Sequence, residues 1–155
     1  MVIIYGISAS NRSAWQAAFK ENFLVHEIHI GAANEYKQNS IKENIVEDAR
    51  PWGGFRRYVH NEKCTVKIIT MNPNQSLSKQ VHRKRDELWV ILDEHLRVEL
   101  DDKVLDPKPG DEIIILRNTK HRLTSLGKKA RVLEISFGHF DEGDNQRLDD
   151  LYGRM

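Results

Sequence analysis

The chain has one cysteine, Cys64, in 155 residues, and that excludes an internal disulfide framework. Cys64 stands in a strand-like run, which suits a small buried residue better than a nucleophile. No stretch is long and apolar enough to span a bilayer. The start, Met1-Val2-Ile3-Ile4-Tyr5, lacks the basic region and long apolar core of a signal peptide. A cytoplasmic location is expected. Neither charge sign is in excess, with 24 basic and 23 acidic residues, so nothing global favours nucleic acid or a membrane surface. Repeats and low-complexity segments are absent. The length suits a single domain with an ordinary core.

What is present divides at about residue 45. Residues 1–45 read as a small α/β extension: a strand from Met1 to Ile7, a helix from Ser10 to Phe23, a strand from Leu24 to Ile30, then a polar linker. No glycine-rich phosphate loop occurs there. Residues 46–155 read as all β. Strands are expected at Phe55–Val59, Thr65–Asn72, Leu88–Leu92, Leu96–Leu100, Glu112–Leu116, His121–Ser125 and Arg131–Phe137. Turn chemistry separates them at Asn72-Pro73-Asn74, Asp101-Asp102-Lys103 and Asp106-Pro107-Lys108-Pro109-Gly110. A short closing helix is expected over Asn145 to Tyr152. Many short strands of this kind indicate a barrel or sandwich.

The chemistry concentrates in Gln80, His82, Glu87 and His121. On a strand, Gln80 and His82 share a face. An unbroken strand would send Glu87 to the other face, but the charged interval Arg83-Lys84-Arg85-Asp86 reads as a turn or bulge that re-aims it. A second polar turn, Arg117 to Lys120, precedes His121. One amide, two imidazoles and one carboxylate suit a divalent cation, with positions left open for water or substrate. Zn²⁺ leads, with Mn²⁺, Co²⁺, Ni²⁺ and Fe²⁺ as alternatives.

Those residues stand at the metal-ligand positions of the two cupin motifs. The first motif has Asn74, Gln80, His82, Glu87 and Glu94 at its fixed places, and the second has Gly110, Leu116, Asn118, His121 and Ser125. From Arg50 to Arg154 the chain resembles the C-terminal isomerase domain of bifunctional mannose-1-phosphate guanylyltransferase/mannose-6-phosphate isomerases. Arg50-Pro51-Trp52-Gly53, Lys79-Gln80-Val81-His82, Arg85-Asp86-Glu87-Leu88-Trp89 and Asp150-Leu151-Tyr152-Gly153-Arg154 carry the likeness. In that family three His follow the Gln and another precedes the Trp. Here Arg83 and Lys84 replace two of the run, and Leu88 replaces the later one. Glycine is also lost at Asn74, Glu94 and Asn118, so altered turns are expected there.

The resemblance implies a cupin barrel and a metal bound by Gln80, His82, Glu87 and His121. It implies interconversion of mannose 6-phosphate and fructose 6-phosphate, with Lys67 and Arg85 as catalytic candidates. A cationic clamp for the phosphate would come from Arg85, Arg122 or Arg50. Arg122 follows a ligand on a strand and is expected to face away from the metal. Trp52 and Trp89 are expected in the core. The guanylyltransferase signature is absent, so a separate guanylyltransferase partner is expected, and the resemblance to cupins, which commonly pair through edge strands, implies a homodimer. The alternatives are a non-catalytic metal- or sugar-binding cupin in nucleotide-sugar or polysaccharide biosynthesis, and a cupin enzyme for another substrate.

Overall fold

A computed structural model describes residues 40–154. The strand, helix and strand expected between residues 1 and 30 lie outside the described residues. After a helical turn over residues 40–44, all but one of the elements are strands. They are β1 (Val46–Arg50), β2 (Gly53–Arg57), β3 (Cys64–Met71), β4 (Lys79–Val81), β5 (Arg85–Ile91) and β6 (Leu96–Leu100). β7 (Lys103–Leu105), β8 (Glu112–Ile115), β9 (His121–Ser125) and β10 (Ala130–Gly138) follow. A 3₁₀ turn (Glu142–Asp144) leads into β11 (Gln146–Asp149).

Two antiparallel sheets face each other. One runs β3-β10-β5-β8 and the other β11-β4-β9-β6-β7, while β1 and β2 form a separate hairpin. Strand alternation fills the space between the sheets. Met71, Trp89, Ile91, Leu96, Val98, Leu100, Ile113, Ile115, Leu123 and Val132 form one continuous core. The four-stranded sheet is apolar on its outer face as well. There Leu88, Val90, Ile135 and Phe137 pack against Ile41, Ile45, Tyr58 and Val59. This double burial explains why Leu88 to Ile91 is an unbroken apolar run. The architecture is the cupin barrel that the motifs imply.

Several expectations change. Residues 145–152 form no helix: Gln146–Asp149 is strand β11, which pairs antiparallel with β4. β4 lies between β9 and this segment, and its backbone groups are satisfied only if residues 146–149 extend alongside it. Strands β4 and β7, of three residues each, are too short for alternation to reveal, and β1 shows no alternation in burial. Trp52 is 74% exposed at the tip of the β1–β2 hairpin rather than in the core, whereas Trp89 is fully buried. The turns at Asn74 and Asn118 keep the left-handed backbone that glycine favours, with φ of 58° and 66°. Asparagine tolerates this region because its short polar side chain bonds locally. After Glu94, the positive φ (66°) falls on His95.

Candidate metal centre

The inward positions of these strands are apolar at one end of the barrel and become polar at the other. Along β5 they run Ile91, Trp89, Glu87, Arg85. Along β10 they run Val132, Glu134, Ser136, and along β9 Leu123 gives way to His121. Register aligns the polar ends, with Ser136 opposite Glu87, Glu134 opposite both Trp89 and Lys67, and His121 opposite Gln80. His82 follows β4 directly. The next two residues bend the chain, and Arg85 opens β5. The interval is therefore a bend at Arg83 and Lys84 only. Arg85 and Asp86 already belong to the strand and are buried.

His82, Glu87 and His121 are all buried and bring one ligand atom each to within 4.8 Å of one another. His82 Nε2 lies 3.1 Å from His121 Nε2 and 3.1 Å from Glu87 Oε1, and His121 Nε2 lies 3.8 Å from Glu87 Oε2. Hydrogen-bond partners assign the tautomers. The His121 Nδ1–H donates to the Thr119 carbonyl at 2.9 Å, which leaves a lone pair on Nε2. Burial pushes the His121 imidazole down to about 4, against the pull of Glu87, so it is neutral at pH 7. His82 Nε2 accepts from Arg85 Nη2 at 3.0 Å, because a guanidinium can only donate. Burial alone would raise the Glu87 carboxyl. Contacts with His82, His121 and Arg85 instead hold it well below the usual carboxylate range. Trp89 Nε1–H donates to Glu87 Oε2 at 3.1 Å, and its ring meets His121 edge-on.

Three acceptor atoms therefore converge in a buried site. Two imidazoles and an ionised carboxylate form the donor set of a borderline divalent cation, and the residues present fit one. Arg85 is the positive group already there. It is 2% exposed. It donates to Glu87 Oε1 at 2.8 Å, Asn145 Oδ1 at 2.7 Å and the Asp141 carbonyl at 3.2 Å, besides His82.

The other expected residues lie as follows. Gln80 adjoins the triad, but its amide nitrogen faces His121 Nε2 at 3.4 Å, while its oxygen accepts from Ser78 Oγ at 3.2 Å. Rotating the amide would exchange the two. Lys67 lies on the inward face of β3. Its Nζ is 2.9 Å from Glu134 Oε1, and Phe140 covers both Lys67 and Arg85. Arg122 points to the outer face, as its place after His121 predicts, and pairs with Asp149. Arg50 pairs with Asp48 on the β1–β2 hairpin. Buried Glu134 and Ser136, joined at 3.0 Å, were not singled out in sequence. Their signal was available, as two polar residues in phase with inward Val132.

Residues 37–150 match the family model described as mannose-6-phosphate isomerase C-terminal. The alginate biosynthesis protein AlgA of Pseudomonas aeruginosa is 31% identical over 128 residues, which cover 81% of this chain and 27% of that protein. The mannose-1-phosphate guanylyltransferase ManC of Salmonella typhimurium is 33% identical over 108 residues, covering 68% and 22%. The chain thus spans about a quarter of the length of these curated relatives. Among solved structures, the capsular polysaccharide assembling protein CapF from Staphylococcus aureus superposes with a TM-score of 0.50 at 14% identity. That match covers 68% of this chain and 33% of the other. The likeness is one of fold.

Proposed function

The chain belongs to the mannose-6-phosphate isomerase C-terminal family, and from that premise we propose that it is a metal-dependent aldose–ketose isomerase acting on mannose 6-phosphate and fructose 6-phosphate. The observation that carries this reading is the convergence of His82 Nε2, His121 Nε2 and a Glu87 oxygen, with Arg85, Gln80 and Trp89 as the donors beside them. His82, Glu87 and His121 would hold the ion, with Gln80 as a fourth ligand once its amide oxygen turns inward. A bound divalent ion supplies Lewis acidity to the sugar oxygens on which charge develops.

The remaining work falls to the protein. Thr119 fixes the tautomer of His121, and Trp89 and Arg85 fix the orientation of Glu87. The Lys67 side chain is 36% exposed and its Nζ is bonded to Glu134, which suits it to carry a proton at the rim. Arg85 would steady the sugar oxygens nearest the triad. The same reading includes a cytoplasmic homodimer working with a separate guanylyltransferase. Among the described residues no helix is long and apolar enough to cross a membrane.

A second reading, a non-catalytic metal- or sugar-binding module, is favoured by one feature. The Arg85 guanidinium already bonds two of the three presumptive ligands. The deciding experiment strips the protein with a chelator and reloads it in turn with Zn²⁺, Mn²⁺, Co²⁺, Ni²⁺ or Fe²⁺. Turnover of mannose 6-phosphate to fructose 6-phosphate is then followed. Activity that returns with metal and is lost in His82→Ala supports the isomerase. Metal uptake without turnover refutes it in favour of the module or of a cupin enzyme for another substrate.

A further inference from the structure

Arg147 is the arginine of this site that the sequence does not single out. It lies on β11 directly opposite Gln80, which in turn lies directly opposite His121 on β9. Residues paired in this way across neighbouring strands point to the same face, so Arg147 faces inward with Gln80 and His121. Its Nε is buried without a hydrogen-bond partner. No carboxylate among the described residues forms an ion pair with it. The other arginines considered for an anion are engaged elsewhere. Arg122, whose Nε is likewise buried without a partner, turns to the outer face and pairs with Asp149, Arg50 pairs with Asp48, and Arg85 already donates to Glu87, His82, Asp141 and Asn145.

A buried guanidinium nitrogen without an acceptor is costly, and a ligand that supplies one recovers that cost. Two strand spacings, about 10 Å, separate the Arg147 backbone from that of His121. This distance, shortened by the two side chains, suits a sugar phosphate with its carbonyl end at the triad and its phosphate at the edge of the sheet. We propose that Arg147, rather than Arg50 or Arg122, grips the phosphate of the substrate. It thereby selects a phosphorylated sugar over a free one. The inference rests on the isomerase reading of the neighbouring triad. Guanidinium suits it because its planar fork matches two phosphate oxygens at once.

The test is calorimetric titration of mannose 6-phosphate, inorganic phosphate and mannose into metal-loaded wild type, Arg147→Met, Arg147→Lys and Arg122→Met. Metal content and thermal unfolding are measured in parallel. Arg147→Met should weaken mannose 6-phosphate about ten- to a hundredfold, the range for one charge-assisted contact. It should leave metal content unchanged, and Arg147→Lys should recover part of the loss. Wild-type-like affinity in Arg147→Met, or an equal loss in Arg122→Met, overturns the inference while the isomerase reading stands. Wild type that turns over mannose 6-phosphate, with a Met variant that loses metal as well as substrate, overturns it in favour of a structural role. If wild type itself neither binds nor converts the sugar phosphate, the isomerase reading falls and takes this inference with it.

Discussion

Arg85→Met should lower the stability of the metal-free protein and tighten its grip on a divalent ion at the same time. Arg85 and Glu87 form a buried pair at 2.8 Å, both almost fully enclosed. Removing one partner of such a pair costs about 3–5 kcal/mol, because the other charge is left uncompensated. Of the four contacts that Arg85 makes, those to Asn145 and the Asp141 carbonyl have nothing to do with the triad. As bonds from a charged donor, at about 1.5 kcal/mol each at the low end, they account for roughly 3 kcal/mol of the total. The remaining share, up to about 2 kcal/mol, is the cation that Glu87 and His82 lose. A divalent ion can supply that cation.

The thermodynamic cycle then links two measurements. The cost of the substitution should be smaller in saturating metal than in chelator by up to about 2 kcal/mol, and metal should bind the variant up to about thirtyfold more tightly. Urea unfolding with and without metal gives the first quantity, and competition against a chelating indicator gives the second. Equal destabilisation in both conditions, or weaker metal binding by the variant, would refute the view that Arg85 and a metal serve the same ligands.

Two further outcomes follow from the same geometry. His121 has a folded-state value of about 4 against an ordinary 6.5, so between these values the unfolded chain binds the extra proton. Metal-free protein should therefore be evenly stable above pH 6.5 and lose at most about 1.4 kcal/mol per pH unit as pH falls toward 4. Glu87, held low, adds its own loss only below the ordinary carboxylate range. Urea midpoints measured across pH check this, and a slope that persists unchanged in His121→Gln would count against it. At the Asn118 turn, whose N–H donates to the His82 carbonyl at 2.8 Å, Asn118→Gly should be nearly neutral. Asn118→Ala should cost about 1–2 kcal/mol in urea unfolding, since the left-handed backbone penalises a Cβ. Equal effects of the two variants would mean that the turn relaxes.

The long strands and the cluster of His82, Glu87 and His121 were legible because their signals are local. Alternation over Leu96–Leu100 and His121–Ser125 survives in the structure residue for residue. The ligand spacing persists because each ligand stands at a strand or its immediate end. Less legible were the residues whose role depends on a neighbour. Glu134 and Ser136 sit within a strand that was expected, yet only pairing with β5 and β3 brings them beside Glu87 and Lys67. The charged run Arg83-Lys84-Arg85-Asp86 looks uniform in sequence. In the structure the first two residues are exposed at a bend and the last two are buried in a strand.

The sequence by itself determined the cupin architecture, the triad of His82, Glu87 and His121, and the outward turn of Arg122. The first two follow from the motif resemblance, and the third from a period of two along one strand. Only the tertiary structure decided that Gln146–Asp149 is a strand, that Arg85 enters the triad as its resident cation, and that Arg147 stands in line with Gln80 and His121. Pairing between strands distant in the chain sets those facts. Register, which no local pattern encodes, decides which side chains meet inside a barrel.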